Sequence, residues 1–277
     1  MPTIADSKCV LIIGATAGIG QALARALVAL PSKPKVIVNG RRKERLDELR
    51  KEGFETIEFD VDTNRPNLKH FVDTVIGRYP ELDTVVFSAA IQNELDFSHP
   101  DTLDLDVFMS ELNINYISII TMIKFFLSHL IKRAATGQPC FIIPITSTLG
   151  IVPGPWVPTY AATKAALHSI SITLNEQLDG TGVHIMEVMP PLTESELHDH
   201  QGKRETLQNI WMPLDEFTKE EMEGLLRGDT FIPCGETKDG FMRFEKGRVE
   251  AVHAMYAERR KHEDQAGGGF RIGVNRH

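Results

Sequence analysis

The chain has 277 residues, 42% hydrophobic and 25% charged, which is enough apolar material for a substantial core. Its formal net charge of −8 argues against nucleic acid or an anionic membrane as the main partner. Three scattered cysteines, Cys9, Cys140 and Cys234, form no CxxC pair and read as reduced thiols of a cytoplasmic protein.

The start, "MPTIADSKCVLIIGAT", has no basic segment, long apolar stretch or cleavage site, so no signal peptide is expected. "KCVLIIGA" reads as a continuous apolar strand of the kind buried in a parallel sheet. "GIGQALARALVAL" follows with Ile19, Leu23, Ala26, Leu27 and Leu30 at helical spacing. "KVIVNG" is a second strand, and "RRKERLDELRKEG" a charged helix closed by Gly53. "TIEFDV", "LDTVVFSAA", "CFIIPITS", "VHIMEVMPP" and "DTFIPCG" supply strands three to seven, with helices between. The alternation implies a doubly wound α/β fold, a seven-stranded parallel sheet with helices on both faces. Ile114–Ile131 is apolar enough to raise the question of a membrane span. Asn115, Lys124, Ser128 and His129 would be costly in lipid, so a buried helix is expected and no membrane. The glycine-rich end, 263–277, reads as a disordered tail, leaving 1–262 as one domain.

In such a sheet ligands bind beyond the carboxyl ends of the strands. After the first strand comes "GATAGIG", with Gly14, Gly18 and Gly20 in a GxxxGxG spacing around Thr16 and Ile19. Glycines let the backbone approach a pyrophosphate, and the next helix turns its amides and positive dipole end towards it. After the second strand, Gly40 stands where an acid would bond the adenosine ribose of NAD(H), and Arg41 and Arg42 follow. Guanidinium groups suit a 2′-phosphate, so NADP(H) is expected before NAD(H). Asp60 and Val61 end the third strand, where adenine would lie, with Asp62 a neighbour of the same type. Small residues, Ser88, Ala89 and Ala90, end the fourth and leave room for a ribose and nicotinamide. Ser147 ends the fifth, Asn115 lies inside the apolar helix, and "TYAATKAA" sets Tyr160 and Lys164 one helical turn apart.

This set, "GATAGIG", Asn115, Ser147 and "YAATK", resembles the short-chain dehydrogenase/reductase family over about Lys8–Ser195. The resemblance implies a Rossmann-type fold, hydride transfer with a nicotinamide, and a homodimer or homotetramer built on the Asn115 and Tyr160 helices. It implies Tyr160 as general acid, Lys164 as the cation that favours phenolate and bonds the ribose, and Ser147 as donor to the substrate oxygen. Asn115 would hold a water through its backbone. Pro190, Thr193 and Ser195, in "MPPLTES", would meet the nicotinamide end, Ser195 or its rival Thr193 at the carboxamide. Ile13, "SAAI" and Pro191 depart from the usual family pattern. The Pro-Pro pair and "MPLDEF" are similar to a subgroup of uncharacterised oxidoreductases.

The stretch 197–228 corresponds to the family's variable insertion over the substrate. His198, Asp199 and His200 lack a third well-spaced ligand, so a polar lid is expected there and no metal. Trp156, Trp211, Met212 and Phe217 suggest an apolar or aromatic ketone or aldehyde, or the alcohol. Two other classes remain open at this point. One is an NADP(H)-binding enzyme of an epimerising or non-redox step; the other is a cofactor-binding regulator without turnover.

Overall fold

The computed structural model describes residues 1–265. β1 (Cys9–Ile13) leads to α1 (Gly18–Val28), β2 (Lys35–Gly40), α2 (Lys43–Lys51), β3 (Glu55–Glu58), α3 (Arg65–Arg78) and β4 (Thr84–Phe87). α4 (Leu105–Leu112) passes through a π-helical turn at Asn113–Ile117 into α5 (Ser118–Ala134), followed by β5 (Cys140–Pro144) and α6 (Pro158–Gln177). Two short strands, β6 (Val183–Ile185) and β7 (Glu187–Met189), precede α7 (Arg204–Leu207), α8 (Leu214–Arg227), β8 (Phe231–Pro233), α9 (Thr237–Gly240) and α10 (Lys246–Gln265).

Six parallel strands pair in the order β3-β2-β1-β4-β5-β6. The apolar runs follow from this geometry. Side chains of a strand alternate between faces, and both faces are covered. Cys9, Leu11 and Ile13 join the core under α3, α5 and α6, built with Phe71, Phe126 and Leu167. Val10 and Ile12 join the opposite core with Leu23 and Leu27 of α1 and Phe217 and Leu225 of α8. Each such side chain, fully buried, stabilises by about 1.5–3 kcal/mol. Local signals close the helices: Gly53 takes φ 97° just beyond α2, where its amide bonds the Arg50 carbonyl.

The expected sixth strand is not continuous. It breaks at Met186, whose amide still bonds Ile142, while Val188 bridges to Ile145. β7 pairs with β8 instead, so the seventh strand extends the sheet through a separate two-stranded ribbon. The break coincides with Glu187, whose side chain turns inward to His168 and Thr146. The apolar segment Ile114–Ile131 lies in the continuous helix Leu105–Ala134, long and apolar enough to cross a membrane by composition. Here it is a core helix: Ile119, Met122, Ile123, Phe126 and Leu130 are buried against the sheet. The tail expected from 263 is helical as far as Gln265, and 266–277 lies outside the described residues.

Chain order reverses between the adjacent parallel strands β1 and β4: the chain leaves β1 through α1 towards β2, and leaves β4 through α4 and α5 towards β5 on the other side. A crevice opens beyond the carboxyl ends of strands at such a switch point.

Candidate active site

A cleft of about 980 Å³ occupies that crevice. Gly14, Thr16, Gly18, Ile19, Arg41, Arg42, Asp60, Val61, Ser88, Ala89, Ala90, Pro190, Thr193 and Ser195 all line it, as do Ser147, Tyr160 and Lys164. Gly20 and Asn115 do not; each lies one layer behind.

The glycine turn is shaped by close approach. Gly14 has φ 86°, and a Cβ there would stand 2.4 Å from the Ala89 amide nitrogen. The small residues of "SAAI" are thus the wall against which the first turn packs. Gly20 closes the same turn against the Gly14 carbonyl. The backbone path and the α1 amino end leave a cradle suited to a diphosphate.

At the β2 end, Gly40 has a second reason to lack a side chain: a Cβ would meet Thr16 Cγ2 at 2.4 Å. Thr16 Oγ1 accepts from Arg42 Nε at 3.1 Å and Nη2 at 3.0 Å. Arg41, also lining the cleft, pairs with Asp60 at 3.6 Å. Asp62 is committed elsewhere, accepting from Ser110 and Asn113. Arg42 and Arg45 also hold Glu196, a residue the sequence pattern did not mark.

At the other end, Ser147 caps the short helical turn Thr148–Gly150, its Oγ accepting from the Leu149 amide at 3.1 Å. That turn packs on α6. Pro158 starts α6, and Tyr160 and Lys164 follow on its buried side. Burial pushes the Tyr160 phenol above its ordinary value; a hydrogen bond from Ser147 works against this and the Glu111 charge works with it. Burial pulls Lys164 down to about 8, against the charges of Glu187 and Glu111. The expected lowering of the phenol by Lys164 is therefore not found. Lys164 Nζ donates to the Ile145 carbonyl at 2.8 Å and lies 5.4 Å from the tyrosine ring centroid.

Asn115 sits in the π turn, where the widened ladder loosens regular α hydrogen bonding. Its amide side chain satisfies the backbone of Ile91 twice, Oδ1 accepting at 2.9 Å and Nδ2 donating at 2.8 Å. It also meets Thr163, whose hydroxyl bonds the Tyr160 carbonyl. Asn115 therefore ties the β4 loop to α6.

Glu111 and Glu187 are among the buried acidic groups that went unmarked in the sequence. Burial raises Glu111 to about 7 despite bonds from Asn93 and the Lys164 charge. Glu187 accepts from Thr146 and from His168 Nδ1, and His168 Nε2 meets Glu245 at 3.0 Å. Burial alone would lower His168, but its two carboxylate partners outweigh that and raise it. Their signal was a polar residue in an apolar frame: Glu187 in "IMEVM", His168 one turn past Lys164.

The predicted aromatic lining is only partly there. Trp156 lines the cleft mouth with Leu207 and Ile210. Phe217 is core, Trp211 stacks under Arg204 at 5.5 Å, and Met212 bridges to Thr193; none of the three lines the cleft. Polar residues take their place: Gln92, Glu94, His198, His200, Gln201 and Lys203.

Residues 8–206 match the family model for short chain dehydrogenases. The chain belongs to the short-chain dehydrogenase family. It is 33% identical over 224 residues to an uncharacterised oxidoreductase, DltE, of Bacillus subtilis, covering 80% of this chain and 86% of that protein. It is 31% identical over 186 residues to the NADP-dependent 3-hydroxy acid dehydrogenase YdfG of Salmonella typhi, covering 66% and 71%. A short-chain dehydrogenase/reductase from Burkholderia phymatum, solved in complex with NAD, superposes over 100% of both chains with a TM-score of 0.73 at 16% identity. The chain is thus an oxidoreductase-family member with the Rossmann-type fold of its relatives.

Proposed function

We propose that this short-chain dehydrogenase moves a hydride between NADP(H) and a carbonyl or alcohol carbon. One observation carries the reading: a single cleft joins the Arg41–Arg42 corner, with no acid at position 40, to Ser147, Tyr160 and Lys164. The nicotinamide, when bound, supplies the hydride chemistry. The chain supplies orientation and the proton. Tyr160 is the general acid towards the carbonyl oxygen and the base in reverse. Ser147 donates to the same oxygen. Lys164, held by the Ile145 carbonyl, carries the positive charge beside the phenol. Asn115 is a positioning residue, fixing α6 against the Ile91 loop.

Gly14, Gly18, Ile19, Ser88, Ala89 and Ala90 would take the diphosphate and ribose, Asp60 and Val61 the adenine, and Pro190, Thr193 and Ser195 the nicotinamide end. Ser195 is the better carboxamide partner, because Thr193 already donates to Pro191. YdfG is named for NADP, whereas the Burkholderia phymatum structure holds NAD. The preference for NADP(H) in this chain rests on its own arginines. The mouth mixes Trp156, Leu207 and Ile210 with Gln92, His200 and Gln201, so the substrate carries an apolar body and a polar group. The lid is the stretch 197–211; α8, beyond it, is part of the core.

The test is a fluorescence titration of the purified chain with NADPH and NADH side by side. NADPH is expected to bind at least tenfold more tightly, a margin of about 1.4 kcal/mol. Arg42→Ala should erase most of that margin while leaving NADH nearly unchanged. Failure of both nucleotides to bind would overturn the reading.

A further inference from the structure

The basic corner of the cleft already holds an anion, and the anion belongs to the chain. Glu196 Oε2 accepts from Arg42 Nη1 at 2.6 Å, and Oε1 accepts from Arg45 Nη2 at 2.9 Å. The other face of the Arg42 guanidinium is fixed on Thr16. Two guanidinium groups converging on one pair of oxygens form a donor set that serves a phosphate as well as a carboxylate. Burial alone would raise the Glu196 carboxyl, but the bonds from Arg42 and Arg45 outweigh it and hold the group below its ordinary value, ionised near neutrality.

Position along the chain gives this contact its consequence. Glu196 follows Ser195, whose Cβ lies against Gly18 at the start of α1. It precedes Leu197 and His198, where the lid begins. Beyond it the lid is tied across the cleft to the loop after β4. Gln201 donates to the Gln92 carbonyl at 2.7 Å, His200 meets Asn93, and Lys203 pairs with Glu94. The segment is thus strapped at two ends, one of them on Arg42, which is proposed for the 2′-phosphate, and on its neighbour Arg45. The glutamate and arginine side chains keep 35–41% of their surface exposed, so the strap can be released without opening the core.

We infer that Glu196 is a cofactor-discriminating residue: its carboxylate takes the seat that a 2′-phosphate needs on Arg42 and Arg45 and leaves when that phosphate binds. This rests on the NADP(H) reading above and adds a cost and a movement to it. A dianionic phosphate monoester has the stronger claim on two guanidiniums than a single carboxylate, so it displaces Glu196 and frees the lid at Leu197. A ribose hydroxyl has no such claim and leaves the strap in place. Half-exposed ion pairs are individually weak, so the competition lowers affinity by about tenfold and does not block the site.

The experiment is calorimetric titration of the full chain with adenosine 2′,5′-bisphosphate and adenosine 5′-monophosphate, with hydrogen exchange of 196–207 measured for each. The wild-type chain is expected to prefer the bisphosphate, and only the bisphosphate should speed exchange in the lid. Glu196→Gln and Glu196→Ala should both bind the bisphosphate about tenfold more tightly than wild type and the monophosphate within about twofold. Melting temperatures near wild type would show both variants folded. If the wild type prefers the bisphosphate but both variants bind it no better, the inference fails and the NADP(H) reading stands. If the wild type shows no preference, both fail together.

Discussion

Tyr160 lies under a competition that its neighbours settle. Burial and the Glu111 charge favour the protonated phenol, and the Ser147 hydrogen bond opposes them. A phenol kept protonated at neutral pH suits a proton donor. Tyr160→Phe should lower kcat by at least 10³-fold while leaving NADPH affinity within about twofold, because only the transferable proton is removed. Single-turnover kinetics beside a binding titration separates the two. Lys164, pulled down to about 8, is mostly protonated at pH 7 and loses its charge above that value. Glu111 supports that charge from α4. Glu111→Gln should therefore shift the alkaline limb of kcat/KM in the free enzyme to lower pH, read from a pH–rate profile. An unmoved limb would separate Glu111 from the lysine. The tyrosine, lysine and serine were legible because their spacing reflects local geometry: one helical turn, one strand end. Glu111 was not, because its importance lies in a distance between elements.

At the scale of elements, a doubly wound parallel sheet with its site beyond the carboxyl ends of the strands was readable from continuous apolar strands alternating with amphipathic helices. The break at Met186 was not. It coincides with a charge cluster made by three elements: Glu187 of β7, His168 of α6 and Glu245 before α10. The apolar frame marks Glu187 and His168 one by one, but that they meet each other and Glu245 depends on distances between elements. Breaking a buried pair leaves an uncompensated charge, so His168→Gln should destabilise by about 3 kcal/mol. The histidine is raised in the folded chain, so its contribution is complete below pH 6.5 and is lost as pH rises through the raised value. The gap between wild type and His168→Gln in urea unfolding should accordingly narrow from pH 6 to pH 9. α8 carries the opposite case. Glu221 is fully buried, neither carboxyl oxygen has a partner, and burial alone raises it to about 8. The folded chain holds a proton there that the unfolded chain releases above about pH 4.5, so stability falls between those values as pH rises. Glu221→Met should be more stable than wild type at pH 8 by roughly 2–4 kcal/mol and nearly equal at pH 4.5, by the same unfolding measurement.

For the whole molecule, ligand binding and stability are one equilibrium. NADPH at a hundred times its Kd should add about 2.7 kcal/mol and raise Tm by roughly 5–10 °C; NADH at the same concentration should raise it less. Differential scanning fluorimetry checks both. The bond between His168 and Glu245 joins residues 77 apart in sequence. During synthesis the helix bearing Tyr160 and Lys164 emerges long before its last electrostatic partner. Until Glu245 leaves the ribosome, His168 and Glu187 face one another without their third member, beside a strand pairing that also waits for β8. The helix that brings Tyr160 and Lys164 to the cleft is therefore completed late, and a ribosome stalled before residue 245 would display the six-stranded sheet with His168 still lacking one of its two carboxylate partners.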